Sequence, residues 1–223
     1  MNILIVEYPG YSLYKADKSA DVVLEDSLTI FDYLTENLKI DSENIIVFGR
    51  SIGSAPATYL CSQRKPGALV LMSPFTSLRA VAGNLVGNFM KFLISERYIL
   101  IWIRFTNIEY IKSVSCPVMF IHGQEDSLIP FDHTIKLKDN CNCPYELFFP
   151  EDMDHNNFHY EIDFIYPLKD FLKRHTYFKT GETCDIQIPL YIYEVPSIIK
   201  DIIGKDSNKD KSSSFQNCFG ISN

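Results

Sequence analysis

Apolar residues gather in short unbroken runs, separated by longer stretches in which they recur at helical spacing. Four runs stand out: residues 2–8 (NILIVEY), 44–49 (NIIVFG), 68–73 (ALVLMS) and 117–123 (PVMFIHG). A fifth, 145–151 (YELFFPE), is more polar and belongs nearer an edge. Runs of Val, Ile, Leu and Phe without strict alternation predict strands covered on both faces, as in a parallel sheet. Between them, residues 21–38 place Val23, Leu24, Leu28, Phe31 and Leu34 near a 3.6-residue period, the signature of a helix with one buried face. Residues 55–64, 131–140 and 163–175 read as further helices, the last kinked or started by Pro167. Strand and helix alternate, so the expected class is α/β with a mostly parallel sheet.

This pattern covers residues 1–175, read as one domain. Residues 176–204 form a C-terminal extension that either adds a strand and a short helix or lies over the surface. Residues 205–223 are polar, rich in Ser, Lys and Asp, and expected to be a disordered tail. Residues 92–105 (FLISERYILIWIRF) are interrupted by Glu96, Arg97 and Arg104. They read as an amphipathic helix packed on the domain, with an apolar lid or membrane-facing surface as the alternative.

Bulk composition narrows the function classes. The chain has 223 residues, 46% of them hydrophobic, which suits a folded domain with a real core. Its formal charge of -7 offers no nucleic-acid surface. The segment MNILIVEYPGY enters an apolar run without a basic start or a cleavage site, so a cytoplasmic setting with reduced thiols is expected. Cys141 and Cys143 are too close together for a CxxC motif, and neither a metal nor a cofactor is expected.

In a parallel sheet the reacting groups collect at the carboxyl ends of the strands. The second run ends in Gly49-Arg50-Ser51-Ile52-Gly53, a G-x-S-x-G sequence with a strand before it and a helix after it. Such a turn lifts the serine oxygen clear of the chain and leaves room only for small neighbours. Asp126 follows the fourth run, with Glu125 as the competing acid. His155 follows the fifth, with His159 as an alternative base that better fits the start of the next helix. His122, inside a strand, reads as a core residue; His133 and His175 fall on helices without a sign of a role. The order Ser, Asp, His is that of α/β-hydrolases. Ser51 would attack, His155 would take its proton, and Asp126 would orient the imidazole and stabilise its cation.

The five blocks NILIVEYPGY, NIIVFGRSIGSAPA, ALVLMSPFTSLRAVA, PVMFIHGQEDSLIPF and YELFFPEDMDHNNF, taken in order, resemble the α/β-hydrolase-domain proteins that include the membrane-associated palmitoyl-protein thioesterases. Serine-aminopeptidase-like hydrolases are similar more distantly. The resemblance runs from about residue 2 to residue 175. It implies Ser51 as nucleophile, Asp126 as acid, His155 as base, and a long-chain acyl thioester on protein cysteine as substrate class. The family begins with further strands, and the loop after its third strand supplies one of two oxyanion N–H groups. This chain opens at what corresponds to the fourth strand, so an N-terminally shortened sheet is expected. Ile52 then supplies the one oxyanion donor with a counterpart, and loss of a single donor costs about 10²–10³ in rate. The family's acylated N-terminal cysteine cluster has no counterpart either, which leaves an apolar lid near residues 85–105 as the candidate peripheral membrane contact.

The leading expectation is therefore a serine hydrolase of acyl esters or thioesters, with acylated protein or a small acyl compound as its partner. A peptidase or small-molecule esterase with the same three residues is the runner-up. A catalytically weak hydrolase-like binding scaffold is the reading from another class.

Overall fold

Four of the five apolar runs lie side by side in one parallel sheet. The computed structural model describes residues 2–11, 14–16, 18–84 and 104–176. The strands are β1 (Ile46–Arg50), β2 (Ala68–Met72), β3 (Val118–Ile121) and β4 (Tyr145–Phe148), in the spatial order β1-β2-β3-β4. Their register aligns Gly49 with Leu71, Leu71 with Phe120, and Phe120 with Leu147. Parallel neighbours require crossovers, and helices supply them. In chain order the helices are α1 (Ala20–Asp32), α2 (Ser54–Gln63), α3 (Leu78–Asn84), α4 (Asn107–Tyr110), α5 (Asp132–Asp139) and α6 (Tyr166–His175), of which α2 to α5 lie in the crossovers while α1 precedes β1 and α6 follows β4.

Alternation along the strands divides the core between the two faces of the sheet. Leu69 and Leu71 of β2 and Val118 and Phe120 of β3 pack with Phe31 of α1, Leu60 of α2 and Leu137 of α5. Val70 and Met72, with Met119 and Ile121, face the other way, onto Leu168 and Phe171 of α6. Burial of each such side chain stabilises the fold by about 1.5–3 kcal/mol. The expectation of cover on both faces holds for β2 and β3, whose residues are all buried. It does not hold for β1, which, like β4, the run expected nearer an edge, has one neighbouring strand among the described residues. Phe48 of β1 is 48% exposed, its ring meeting Phe164 edge-on at 5.2 Å.

Residues 2–8 depart from their expected strand. They carry no ladder pairing, and Ile3, Leu4 and Ile5 are exposed. Hydropathy alone does not make a strand; a partner backbone does, and among the described residues no strand lies beside this segment or along the outer edge of β1.

The helices follow the sequence more closely. α1 covers most of 21–38 and continues into a π-helical turn over Tyr33–Asn37. Pro167 lies in the first turn of α6, where its missing N–H costs nothing. A wider π-helical turn, Tyr160–Ile165, precedes it. Of the segment 92–105 only Arg104 and Phe105 are described. The extension from 177 to 204 and the tail 205–223 lie outside the described residues. No helix among the described residues is long and apolar enough to cross a membrane.

Candidate active site

β1 delivers the serine. Ser51 opens a tight 3-10 turn, Ser51–Gly53, that passes directly into α2. Its φ is 51°, in the left-handed region, which costs a non-glycine residue about 1–2 kcal/mol. The bend folds Gly49 against the helix it launches: a Cβ there would lie 2.5 Å from the Gly53 carbonyl oxygen and 2.7 Å from Ala57 Cβ. That contact explains why the residue two before Ser51 has no side chain. The Ile52 N–H belongs to the first turn of the helical segment, where backbone donors have no intrahelical acceptor.

β3 and β4 deliver the other two groups on loops bound to each other. The Gln124 N–H donates to the Pro150 carbonyl at 3.0 Å, and the Glu125 N–H to the Met153 carbonyl at 3.1 Å. At Gly123 the two loops come so close that a Cβ would lie 1.9 Å from the Met153 oxygen. Asp154 shapes the tip of the second loop by accepting the Asn156 and Asn157 N–H groups, each at 2.7 Å.

The structure brings His155 within hydrogen-bond reach of both Ser51 and Asp126. His155 Nε2 lies 3.0 Å from Ser51 Oγ, and His155 Nδ1 lies 2.8 Å from Asp126 Oδ2. Asp126 Oδ1 accepts the N–H groups of Leu128 at 3.0 Å and Ile129 at 2.8 Å. Burial alone would push the Asp126 carboxyl up. Hydrogen bonds from His122, His155 and the Ile129 N–H outweigh it and hold the group well below the usual carboxylate range. An ionised Asp126 accepts a hydrogen bond from the Nδ1–H of His155, which leaves the Nε2 lone pair facing the serine hydroxyl. The alternatives lie elsewhere: Glu125 is exposed, and the His159 N–H caps the next helical turn by donating to Asp163 Oδ2.

His122 is a core residue with a further contact. It is fully buried, with Nε2 2.7 Å from the Ile129 carbonyl, Nδ1 2.7 Å from Thr134 Oγ1, and Nε2 also 3.4 Å from Asp126 Oδ2. Because the carbonyl can only accept, Nε2 carries the proton, and His122 buttresses the acid from below. His133 is buried on α5 and accepts the Thr76 N–H, whereas His175 pairs with Glu146 at the far end of α6.

Arg50 is the site residue whose work the sequence did not disclose. Its guanidinium donates to the His155 carbonyl and, at 3.1 Å, to Asn156 Oδ1, and it lies over the Phe158 ring at 5.7 Å. The residue beside the serine thus holds the loop that carries the histidine. The only signal in the sequence was adjacency to Ser51. Arg50→Ala should leave the fold intact by circular dichroism and slow fluorophosphonate labelling of Ser51 by roughly 10–100-fold, the scale of an ångström-size misplacement. A labelling rate equal to the parent's would show that the loop positions itself.

The lowered Asp126 pKa also makes a stability prediction. The unfolded chain binds more protons than the native one below the ordinary aspartate pKa of about 3.9, so native stability falls as pH drops through that range. Denaturant midpoints measured between pH 6 and pH 3 should decline, and the decline should be shallower in Asp126→Asn.

Residues 11–176 match the prolyl oligopeptidase family. The chain is 28% identical over 173 residues to the human alpha/beta hydrolase domain-containing protein 17B, covering 78% of this chain and 57% of that protein. A Caenorhabditis elegans alpha/beta hydrolase domain-containing protein is likewise 28% identical, over 77% of this chain and 48% of its own length. The chain spans about half the length of the curated relatives it matches. Among solved structures, the Pyrococcus horikoshii acylaminoacyl peptidase superposes with a TM-score of 0.55 at 19% identity, over 73% of this chain and 29% of that one. That likeness speaks for the fold alone. With a parallel sheet flanked by helices and a family match over most of its length, the chain belongs to the prolyl oligopeptidase family of α/β hydrolases.

Proposed function

We propose that this chain is a serine hydrolase that cleaves acyl esters or thioesters through an acyl-enzyme on Ser51, with S-palmitoylated protein as its favoured substrate. The observation that carries the reading is the Ser51–His155–Asp126 hydrogen-bond series at 3.0 and 2.8 Å. Ser51 Oγ attacks the acyl carbonyl carbon as its proton passes to His155 Nε2. The carbonyl electron pair moves onto oxygen, facing the Ile52 N–H. The intermediate collapses, the C–S bond breaks, and the leaving sulfur takes the proton from His155. Water then repeats the sequence, returns the proton to Ser51 and releases the acid. The long-chain acyl preference comes from the resemblance to palmitoyl-protein thioesterases, and a cytoplasmic setting with peripheral lipid contact suits that substrate.

The family match favours a second reading, peptide or amide cleavage by the same three residues. An amide leaves less readily than a thiolate and depends more on protonation by His155. The deciding experiment compares a palmitoyl thioester with an aminoacyl amide on the same protein. Faster release from the thioester, abolished in Ser51→Ala, supports the first reading; faster release from the amide supports the second. A folded chain that turns over neither and takes no fluorophosphonate is a binding scaffold.

A further inference from the structure

The edge of the sheet opposite Ser51 carries a second set of reactive groups. Cys141 and Cys143 lie in the turn between α5 and β4, at the amino-terminal end of the strands, whereas Ser51, Asp126 and His155 follow their carboxyl ends. Their sulfurs are 3.3 Å apart, about 1.3 Å beyond a covalent S–S bond. Both side chains are half-buried, packed at the rim of the core cluster that contains the buried Cys61 and Cys116. The four thiols therefore form two pairs of unlike character. Cys116 hydrogen-bonds Cys61 inside the core, where burial pushes the Cys61 thiol well up and keeps it inert. The outer pair meets solvent.

We propose that Cys141 and Cys143 form an oxidisable dithiol, a modification site separate from the Ser51 site, which a peroxide closes to a disulfide. Cys141 is the attacking sulfur. With its sulfur 3.3 Å from that of Cys143, whose S–H can donate to it, Cys141 has its pKa held below the ordinary thiol value, which favours its thiolate over that of Cys143. The Cys141 thiolate attacks one peroxide oxygen, the O–O bond breaks, and a sulfenic acid and hydroxide form. Cys143, as thiolate after losing its proton to that hydroxide, attacks the sulfenic sulfur. The S–O bond breaks, the S–S bond forms, and a second hydroxide leaves and takes up the proton from the original Cys141 thiol. The balance is two thiols and one hydrogen peroxide to one disulfide and two waters. Closure through the single residue Asn142 makes a small, accessible ring, the kind of disulfide that thiols readily reduce again.

The test uses the full chain under native conditions. It is treated with hydrogen peroxide, denatured, alkylated with iodoacetamide and cut with trypsin. Both cysteines fall in the peptide 139–169, which holds no other cysteine. The expected product is that peptide without alkylation and lighter by about 2 Da, the two hydrogens lost. Dithiothreitol should restore a peptide alkylated twice. In Cys143→Ser the resolving sulfur is gone, and dimedone should trap a sulfenic acid on Cys141. Phenylarsine oxide, which bridges neighbouring thiols, should bind the untreated parent protein and be released by a dithiol but not by a monothiol. The proposal is overturned if the peptide emerges alkylated twice after peroxide, or with Cys141 as sulfinic acid beside a free Cys143. A disulfide joining it to a peptide of another cysteine overturns it equally.

Discussion

Ser51→Ala should abolish fluorophosphonate labelling and lower acyl-substrate turnover by roughly 10⁴–10⁶-fold, the range seen when a serine nucleophile is removed from such an array. The substitution deletes one oxygen and little else. The Gly49–Ala57 approach, the 3-10 turn and the paired loops after β3 and β4 do not depend on the hydroxyl. The variant should therefore fold, and the loss should appear in turnover rather than in the denaturant midpoint. A companion variant separates chemistry from strain. Ser51 holds φ at 51°, a conformation glycine adopts without steric cost. Ser51→Gly should thus be equally inactive and at least as stable as Ser51→Ala. Turnover of Ser51→Ala within tenfold of the parent would remove the serine from the chemistry altogether.

Asp126→Asn should cost about 10⁴ in turnover, through the proton on the neighbouring imidazole. The hydrogen bonds around the carboxylate decide how the amide must sit. The Leu128 and Ile129 N–H groups both point at Oδ1, so the asparagine oxygen stays there and its NH₂ takes the place of Oδ2. That NH₂ then faces His155 Nδ1, which must become the acceptor. The proton moves to Nε2, where it confronts the Ser51 hydroxyl and removes the lone pair that would accept its hydrogen. The same NH₂ opposes the Nε2–H of His122. The variant should consequently lose stability as well as activity. Higher pH should recover part of the rate, since hydroxide can take the Ser51 proton that the Nε2–H imidazole no longer accepts. A flat profile with full activity would sink the tautomer argument.

The sequence disclosed the parts of this molecule that are set by local pattern. β2 and β3 were legible because they are buried on both faces and so carry unbroken Val, Leu, Met and Phe. Ser51 was legible because a tight strand-to-helix turn needs the glycine at 49, and Asp126 and His155 because each follows a strand. What was illegible depends on partners distant in the chain. Residues 2–8 have the hydropathy of a strand, but pairing belongs to the neighbour, and none stands beside them among the described residues. Arg50 reaches a loop 105 positions away, and no spacing rule encodes that. His122 gave the signal of a core residue and is one, while its contact with Asp126 follows from the loop turning back over β3. Cys141 and Cys143 match no standard spacing motif; their approach is a property of how the turn before β4 is folded.

The order of the strands in space is their order along the chain, which gives synthesis a direction. Each of β2, β3 and β4, on emerging from the ribosome, finds a neighbour already made. Ser51 is translated 104 residues before His155, an interval on the order of 5–20 s at about 5–20 residues per second. Throughout that interval the nascent polypeptide carries Ser51 without the imidazole that meets it in the folded chain, and the two come together only when β4, the last strand among the described residues, docks.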